Sequence, residues 1–460
     1  MLRDTSRRTT GSAVGSPPAV PAPLRERGRF AVALVGVGVG AALFAVGFRL
    51  SLGWVYRAAY RAGNVVEAFA ALPRWLRLGV PVLGAAISGA IARWRIVRSQ
   101  GVSNVMEAVV LGNVALSLRT TAWRVLGSWS AIASGVSIGR EGPLIEFGGT
   151  LGAAIGRLAG TPLVRTRVLI AAGTAAGFAA AYNTPFAAVL FVVETIVGIA
   201  ALDALLPAMA ATVIATALTR AVVGSGPIYG QRAFVLASPL ELIPYGALGV
   251  IAAAGAVAFK RVLTLAEDIV ERRPLPQPAR AACGGLLVGG IAVLTPLVTG
   301  NGYEPLNLIL DDRLAAGTVV ALLIGKVVAT SGAVASGVPG GIFTPVLLTG
   351  GAIGALCARV APLVGVPWVP HAGSYALIGM AATTAATIHA PLTAAVMVFE
   401  LSGDYPIVLP LLLATVVATL VSRGLGSRSV YTAELRRRGL EWDLTLDGRR
   451  IGRPGGNDAP

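Results

Sequence analysis

Charged side chains are scarce in this sequence of 460 residues, because only 13% of them are Asp, Glu, Lys or Arg. A soluble domain carries charge on about a quarter of its residues. Here 55% of the residues are hydrophobic instead. This balance excludes an ordinary soluble domain and predicts an all-α polytopic membrane protein.

Cysteine and histidine are also rare. The two cysteines, Cys283 and Cys357, lie in apolar runs and fit neither a disulfide framework nor a zinc pattern. The two histidines, His371 and His389, are too few for a histidine-based metal site. We therefore expect no bound metal. We also expect no cofactor and a function other than an enzyme's.

Long uncharged runs take the place of the missing charge. The segment 30–48 has no charged residue and is long enough to cross a hydrocarbon core of about 30 Å. It exceeds the apolar core of a signal peptide, which favours a retained helix. Similar runs recur near 76–92, 166–204, 205–219, 241–259, 281–299, 314–335, 341–357, 373–399 and 405–421. The sequence predicts about ten or more membrane segments.

Basic residues outnumber acidic ones, 38 to 22, which gives a net charge of +16. Arginines cluster at the two ends of the chain, at Arg3, Arg7, Arg8, Arg25, Arg27 and Arg29 and at Arg436, Arg437, Arg438, Arg449, Arg450 and Arg453. In membrane proteins such clusters mark the cytoplasmic side. We expect a multi-pass protein of the cell membrane, the inner membrane in a bacterium, with both termini cytoplasmic. This interpretation also removes the need for a nucleic-acid partner.

The chain contains an internal repeat. The stretch EGPLIEFGGTLGAAIG (141–156) resembles FTPVLLTGGAIGALC (343–357) at an offset of 202 residues, which also pairs Gly139 with Gly341. Matching glycines and prolines in one order are harder to obtain by chance than matching alanines. The match predicts two related halves.

A second pair of stretches supports the repeat. NTPFAAVLFVVE (183–194) resembles HAPLTAAVMVFE (389–400) at an offset of 206 residues, which pairs Glu194 with Glu400. Transporter repeats often have inverted topology, with the binding site between them. The stretch 260–280 is basic, as a cytoplasmic loop of an inverted second half should be.

These patterns predict a fold of two inverted-topology repeats of tilted and broken helices. The predicted divisions are a disordered basic cytoplasmic tail (1–28), a first membrane repeat (29–225), a connecting loop (226–240), a second membrane repeat (241–435) and a short cytoplasmic tail (436–460).

Two glycine-proline segments indicate where chemistry occurs. GREGP (139–143) and GGIFTP (340–345) each read as a loop entering a helix at its proline. The free N–H groups of a helix start attract anions. Glu141 is a carboxylate beside such a site, so it can occupy the site when ionised and leave when protonated. Alternatively, Glu141 pairs with Arg140 or caps the helix, and Arg140 either is structural or raises the local potential.

GREGP, GIFTP (341–345) and Tyr431 after the last apolar run together resemble the CLC family of chloride channels and transporters. The resemblance covers roughly 29–435. It implies a homodimer with one anion pathway per subunit, carrying chloride or a similar monovalent anion as a voltage- or pH-gated channel or as an anion/proton antiporter. It implies Glu141 as the gating glutamate. The anion-binding residues that it implies are Gln100, Gly101, Arg140, Gly142, Ile342, Phe343 and Tyr431.

The backbone amides of Ile342 and Phe343 and the Tyr431 hydroxyl would hold the central anion in this family. Without the resemblance, Tyr431 reads as a tyrosine of the membrane interface. The family's G-S-G-I-P signature is replaced by SQGVS (99–103), which puts Gln100 at the serine position. A glutamine amide can donate hydrogen bonds, so the anion preference stays open. In the other interpretation, Gln100 only caps a helix near Ser103.

Two more departures concern regulation. Many family exchangers carry a second acid after the position of Glu194, whereas this chain has Thr195, which cannot titrate. That favours a passive channel or an exchanger with another proton route. From the short C-terminal tail we expect none of the nucleotide-binding domains that many eukaryotic members carry.

Two other functions fit single features. GVSIG (135–139) is a literal G-x-S-x-G, so an intramembrane serine hydrolase could use Ser137 with His389 as its base. A cation-coupled transporter of another fold would need intramembrane acids. Its candidates are Glu141, Glu146, Glu194 and Glu400.

Overall fold

The computed structural model describes residues 24–94, 101–112, 116–197, 202–230, 238–365, 372–445 and 448–452. Within these ranges the protein is helical except for connecting loops and two short strands near the C-terminus. The first half contains α1 (Leu24–Tyr60), α2 (Val65–Ala71), α3 (Arg74–Trp94), α4 (Gly101–Leu111), α5 (Leu118–Ala133), α6 (Glu141–Leu158), α7 (Leu163–Tyr182), α8 (Pro185–Phe191) and α9 (Leu202–Val223).

The second half repeats this order, except that α2 has no counterpart and α18 is added at the end. It contains α10 (Leu242–Glu271), α11 (Gln277–Leu294), α12 (Tyr303–Leu310), α13 (Ala316–Ala335), α14 (Phe343–Val360), α15 (Ala372–Ile388), α16 (Pro391–Ser402), α17 (Val408–Gly424) and α18 (Val430–Arg437). An antiparallel hairpin of β1 (Glu441–Thr445) and β2 (Gly448–Gly452) follows, in the segment predicted as a tail. Eight helices in the described ranges are long and apolar enough to cross a membrane, and shorter apolar helices accompany them.

Two predicted long runs are broken helices. The run 166–204 divides between α7 and α8, and the run 373–399 divides between α15 and α16. At each break one residue adopts a left-handed conformation, Asn183 with φ 59° and His389 with φ 58°. A proline then begins the next helix, since its missing N–H costs nothing there.

Helix packing repeats between the halves. α6 packs on α7 as α14 packs on α15, and α1 contacts α9 as α10 contacts α17. The close approach of α6 and α7 requires glycine, because a Cβ on Gly148 would overlap the carbonyl of Gly173. The corresponding Gly350 meets the carbonyl of Gly379 in the same way. The predicted repeat is therefore a repeat of three-dimensional packing.

Two reciprocal caps show that the halves are inverted. Glu194, just after α8, accepts hydrogen bonds from the Leu392 N–H (3.1 Å) and the Thr393 N–H (2.7 Å) at the start of α16. Glu400, near the end of α16, accepts from the Phe186 N–H (3.1 Å) and the Ala187 N–H (2.8 Å) at the start of α8. The end of each helix lies beside the beginning of the other, so α8 and α16 run antiparallel.

Candidate functional site

The loops before α6 and α14 meet at the centre of the molecule. The Gly139 N–H donates to the Gly341 carbonyl at 2.6 Å, and the Gly341 N–H donates to the Gly139 carbonyl at 2.8 Å. These two glycines are the pair predicted from the repeat. Their antiparallel bridge brings the beginnings of the two helices together from opposite halves.

The carboxylate of Glu141 lies on the first turn of α14. Its Oε1 accepts from the Phe343 N–H at 2.7 Å and from the Thr344 N–H at 3.1 Å. Its Oε2 is 3.2 Å from the Thr344 hydroxyl. These N–H groups belong to the unpaired start of a helix, where the helix dipole favours negative charge. The side chain of Glu141 thus satisfies, from the other half, groups that could equally bind an anion.

Aromatic side chains hold this position. The Tyr182 and Thr344 hydroxyls are 2.8 Å apart. The Phe343 ring packs edge-on against Phe178, with 5.5 Å between centroids, and lies 5.7 Å from the Tyr182 ring. Glu141 is only 2% exposed. Electrostatic interactions are stronger in such a water-poor setting than in bulk water.

A cavity of about 900 Å³ reaches Glu141 from one side of the molecule. Its wall includes the starts of α4, α6 and α14, together with parts of α10 and α18. The basic residues that line it are Arg124, Lys260, Arg261, Arg280, Arg428, Arg437 and Arg438. The acidic ones are Glu141, Glu146, Glu267, Asp268, Glu271 and Glu434. Seven basic and six acidic side chains thus line the approach to the helix starts.

Most of the predicted site residues lie around this cavity. Those that line it are Glu141, Gly101, Gly142, Ile342, Phe343 and Tyr431. Gly101 begins α4, and Ile342 is the residue before α14. Tyr431 lies in α18 and its ring meets that of Phe191 edge-on, with centroids 6.1 Å apart.

Two predicted residues are not among those that line the cavity, and a third, Gln100, is not described. Arg140 precedes α6 but is not among the residues described around the cavity. Thr195 is buried in a π-helical turn, Val192–Val197, away from the cavity wall. Gln100 is outside the described residues, so its predicted contact with an anion stays a prediction.

Sequence reasoning missed several side chains of this region. Thr344 binds Glu141, and its hydroxyl next to Pro345, in the first turn of α14, was the available signal. Lys326 is the only charged residue of the run 314–335. It is fully buried, and its Nζ donates to the carbonyls of Val298 (3.0 Å) and Gly300 (2.7 Å). A lone lysine in an apolar helix signals such a role.

Ser137 does not have the surroundings of a nucleophile. It is fully buried, and its hydroxyl is 3.0 Å from that of Thr330. His389 Nε2 lies 3.3 Å from the Ser422 hydroxyl instead. The G-x-S-x-G stretch therefore serves packing between the halves, and the hydrolase alternative is not favoured. In the described ranges, no group of three or more His, Cys, Asp or Glu side chains could hold a metal ion.

The fold and this site define a class of protein: polytopic membrane proteins with two inverted halves, whose broken helices start at a shared central site. The family model described as voltage gated chloride channel matches residues 83–423. The chain belongs to this family, the CLC family, as its motifs predicted. The cation-coupled transporter of another fold is thereby not favoured.

Individual relatives agree over nearly the full membrane region. The chain is 35% identical over 412 residues to a "Putative chloride channel protein ClcB-like" of Ralstonia nicotianae, covering 87% of this chain and 95% of that protein. It is 32% identical over 409 residues to the "Voltage-gated ClC-type chloride channel ClcB" of Citrobacter koseri, covering 86% and 96%.

Solved structures show the same fold. A "slow cyanobacterial Cl-/H+ antiporter" superposes with a TM-score of 0.79 at 25% identity, covering 89% of this chain and 98% of that one. A "CLC-type fluoride/proton antiporter" gives a TM-score of 0.74 at 21% identity, covering 89% and 98%. The predicted fold of two inverted repeats is confirmed.

Proposed function

We propose that this protein carries chloride or a similar monovalent anion across the membrane, as a channel or an anion/proton antiporter gated by Glu141. The observation that supports this most directly is the Glu141 carboxylate on the N–H groups of Phe343 and Thr344. An ionised carboxylate there takes the position of a bound anion. The names of the relatives, which are chloride channels and proton-coupled anion antiporters, agree with this function. We infer no enzymatic activity.

The gate follows from the charge of one side chain. When Glu141 is ionised, it satisfies the start of α14 and excludes the anion. When it is protonated, it no longer competes for those N–H groups, and the anion takes its place. The amides of Ile342 and Phe343 and the hydroxyl of Tyr431 complete the site. Partial charges of helix starts hold the ion loosely enough for release, which a pathway requires.

The proposed anion pathway continues on both sides of Glu141. On one side the ion crosses the cavity of about 900 Å³, where Gly101 and Gly142 form part of the wall. Gln100, which precedes Gly101, is proposed as the residue that selects among anions. On the other side, Arg140 raises the potential for anions. Thr195 carries no proton.

We place the cavity on the cytoplasmic side. The exposed arginines at the beginning of α1 and the basic residues of α10, α11 and α18 then face the cytoplasm, in keeping with the usual charge rule. Both termini are cytoplasmic in this arrangement. The membrane repeats are 29–225 and 241–435, joined by 226–240, with 1–28 and 436–460 as tails. In a bacterium the protein would lie in the inner membrane.

A second copy of the chain is the proposed partner. The short helices α8 and α16 border an apolar groove of about 450 Å³. Its walls are Phe186, Val189, Leu190, Leu205, Met209, Ala395, Val396, Phe399, Tyr405, Val408, Leu411 and Leu412. A span needs about 20 residues, so these helices end inside the bilayer, next to the half-buried Glu194 and Glu400. Carboxylates that face lipid are costly, and a second subunit would cover them.

Cross-linking tests the dimer. Cys283 and Cys357 are first replaced by serine. In that background Leu409→Cys, an exposed position on α17, should give a dimer band with a short bifunctional thiol reagent in membranes. Leu286→Cys, an exposed position on α11, serves as the matched control and should give none. Equal cross-linking at both positions would place the interface elsewhere.

Transport itself is tested in liposomes that contain the purified protein under a chloride gradient. Chloride loss is followed with an electrode, and proton movement is followed with a pH electrode. Chloride flux without response to sodium or potassium gradients supports the proposal, and flux that follows a cation gradient contradicts it. Proton movement driven uphill by chloride identifies an antiporter, and passive chloride flux alone identifies a channel.

A further inference from the structure

The second carboxylate of α6 lies beside the start of α4. Glu146 is 3% exposed and shares the cavity wall with Glu141. Its Oε1 accepts a hydrogen bond from Arg124 of α5, which is 5% exposed. Its Oε2 has no hydrogen-bond partner in the part of the chain that the structure describes. A buried carboxylate oxygen without a partner is unusual.

That free oxygen points at a helix start. A Cβ built on Gly101, the first residue of α4, would lie 3.3 Å from Oε2 of Glu146. α4 has 11 residues, so its first N–H groups carry the partial positive charge of a full helix. Gly101 and Arg124 also line the cavity. An anion that reaches the start of α4 therefore comes close to the Arg124–Glu146 pair.

Few other charges face Glu146. On α4, Glu107 is bound by Arg438 at 3.2 Å. On α7, Arg167 is held by the carbonyls of Val109 and Val110. At the start of α6 itself, Glu141 is held by α14. Arg124 is thus the cation that is paired with Glu146 in the described ranges.

We propose that Glu146 binds a proton when an anion reaches the start of α4 and the anion interacts with the Arg124 guanidinium. The inference rests on the proposed anion pathway and adds a proton-binding site to it. The anion and the Glu146 carboxylate compete for the Arg124 guanidinium. Binding of the anion therefore lowers the free-energy cost of protonating Glu146. The carboxylate then takes one proton from water in the cavity. By linkage, the proton also favours binding of the anion. Thr195 takes no part in this proton binding.

The experiment measures proton uptake evoked by chloride. Purified protein in weakly buffered detergent solution receives sodium chloride or, as a blank, sodium gluconate, and a pH electrode records the change. The Glu141→Gln variant is the background, which removes the gate carboxylate from the measurement. We expect uptake of up to about one proton per subunit with chloride, since one carboxylate changes its charge.

Two further variants assign the proton. Glu146→Gln in this background should abolish the uptake. Glu267→Gln is the control, because Glu267 lines the same cavity and is also paired with an arginine, Arg437, in a more exposed ion pair. It should leave the uptake unchanged. Uptake that survives Glu146→Gln overturns the proposal, and so does equal loss in both variants.

Arg124→Lys covers the case in which the Glu146→Gln chain does not fold. Lysine keeps the positive charge but forms a different ion pair with Glu146. Proton uptake should therefore persist in a shifted pH range. An unshifted pH range of proton uptake would overturn the proposal, because the proton would then bind to a group other than Glu146. Failure of the proposed function is a separate outcome. It is seen when Glu141→Gln alone leaves the pH dependence of chloride flux intact.

Discussion

Glu194 and Glu400 hold the same position in the two halves, and each caps a helix of the opposite half. Glu194 binds N–H groups at the start of α16, and Glu400 binds those at the start of α8. Each cap is a carboxylate on unpaired N–H groups, the relationship that Glu141 has with α14. The same arrangement therefore stabilises the fold at two helix starts and, in our proposal, gates the anion pathway at the third.

Replacing Glu141 by glutamine should remove the part of the pH dependence of anion flux that comes from the gate and retain the flux. A neutral amide cannot act as an anion on the N–H groups of Phe343 and Thr344. In the unmodified protein the open fraction should rise on acidification, by about tenfold per pH unit above the midpoint for a single proton. Chloride loss from liposomes at equal inside and outside pH checks this.

The control for that measurement is Glu271→Gln, an exposed carboxylate that lines the same cavity. It should keep the pH dependence. A folded Glu141→Gln protein without flux would refute the assignment of Glu141 as the gate.

Replacing Glu194 or Glu400 by alanine should destabilise the fold by about 1–2 kcal/mol each, the cost of a lost helix cap. The two effects should add, because the caps lie at different helix starts. Apparent melting temperatures in one detergent measure both. Glu26→Gln removes a partly exposed ion pair with Arg165 and should cost less than about 1 kcal/mol. An equal loss in this control would contradict the role of the caps.

Gly148→Ala should weaken the packing of α6 on α7 by about 1–3 kcal/mol, because the new Cβ overlaps the backbone carbonyl of Gly173. Gly350→Ala should have the same effect in the second half. Gly79→Ala is the control, since no atom lies within 4 Å of a Cβ there. This control should stabilise α3 by about 0.5–1 kcal/mol. The thermal shift of each purified variant tests the prediction, and equal shifts would refute it.

Ser137→Ala should keep anion flux and cost only about 1 kcal/mol, the value of one hydroxyl hydrogen bond to Thr330. Thr330→Val should behave alike. A broad serine-reactive probe should label neither the original protein nor these variants at this site. Labelling that disappears with Ser137 would revive the hydrolase alternative.

The sequence was sufficient for the fold, because the repeat is carried by glycines and prolines whose backbone roles are specific. Gly139 and Gly341 were paired by their offset, and they are hydrogen-bonded in space. A helix break was harder to predict, since Asn183 and His389 differ chemically although both adopt the left-handed conformation. Their following prolines were the shared signal.

The site was predictable only in part. Glu141 was identified as a group that imitates an anion, but the helix that it caps belongs to the other half, and sequence order does not show such contacts. The same applies to Glu146 and Arg124, which lie 22 residues apart on different helices. Short motifs indicate helix starts well, whereas partners brought together by packing become visible only in the structure.

The exchange of caps has a consequence for biosynthesis. The start of α8 receives its carboxylate from Glu400, which is made 214 residues later than Phe186. While the ribosome is still translating the second half, α8 has no cap from within its own half. The first half is therefore expected to stay incomplete in the bilayer until α16 has been inserted, so that neither half is an independent folding unit.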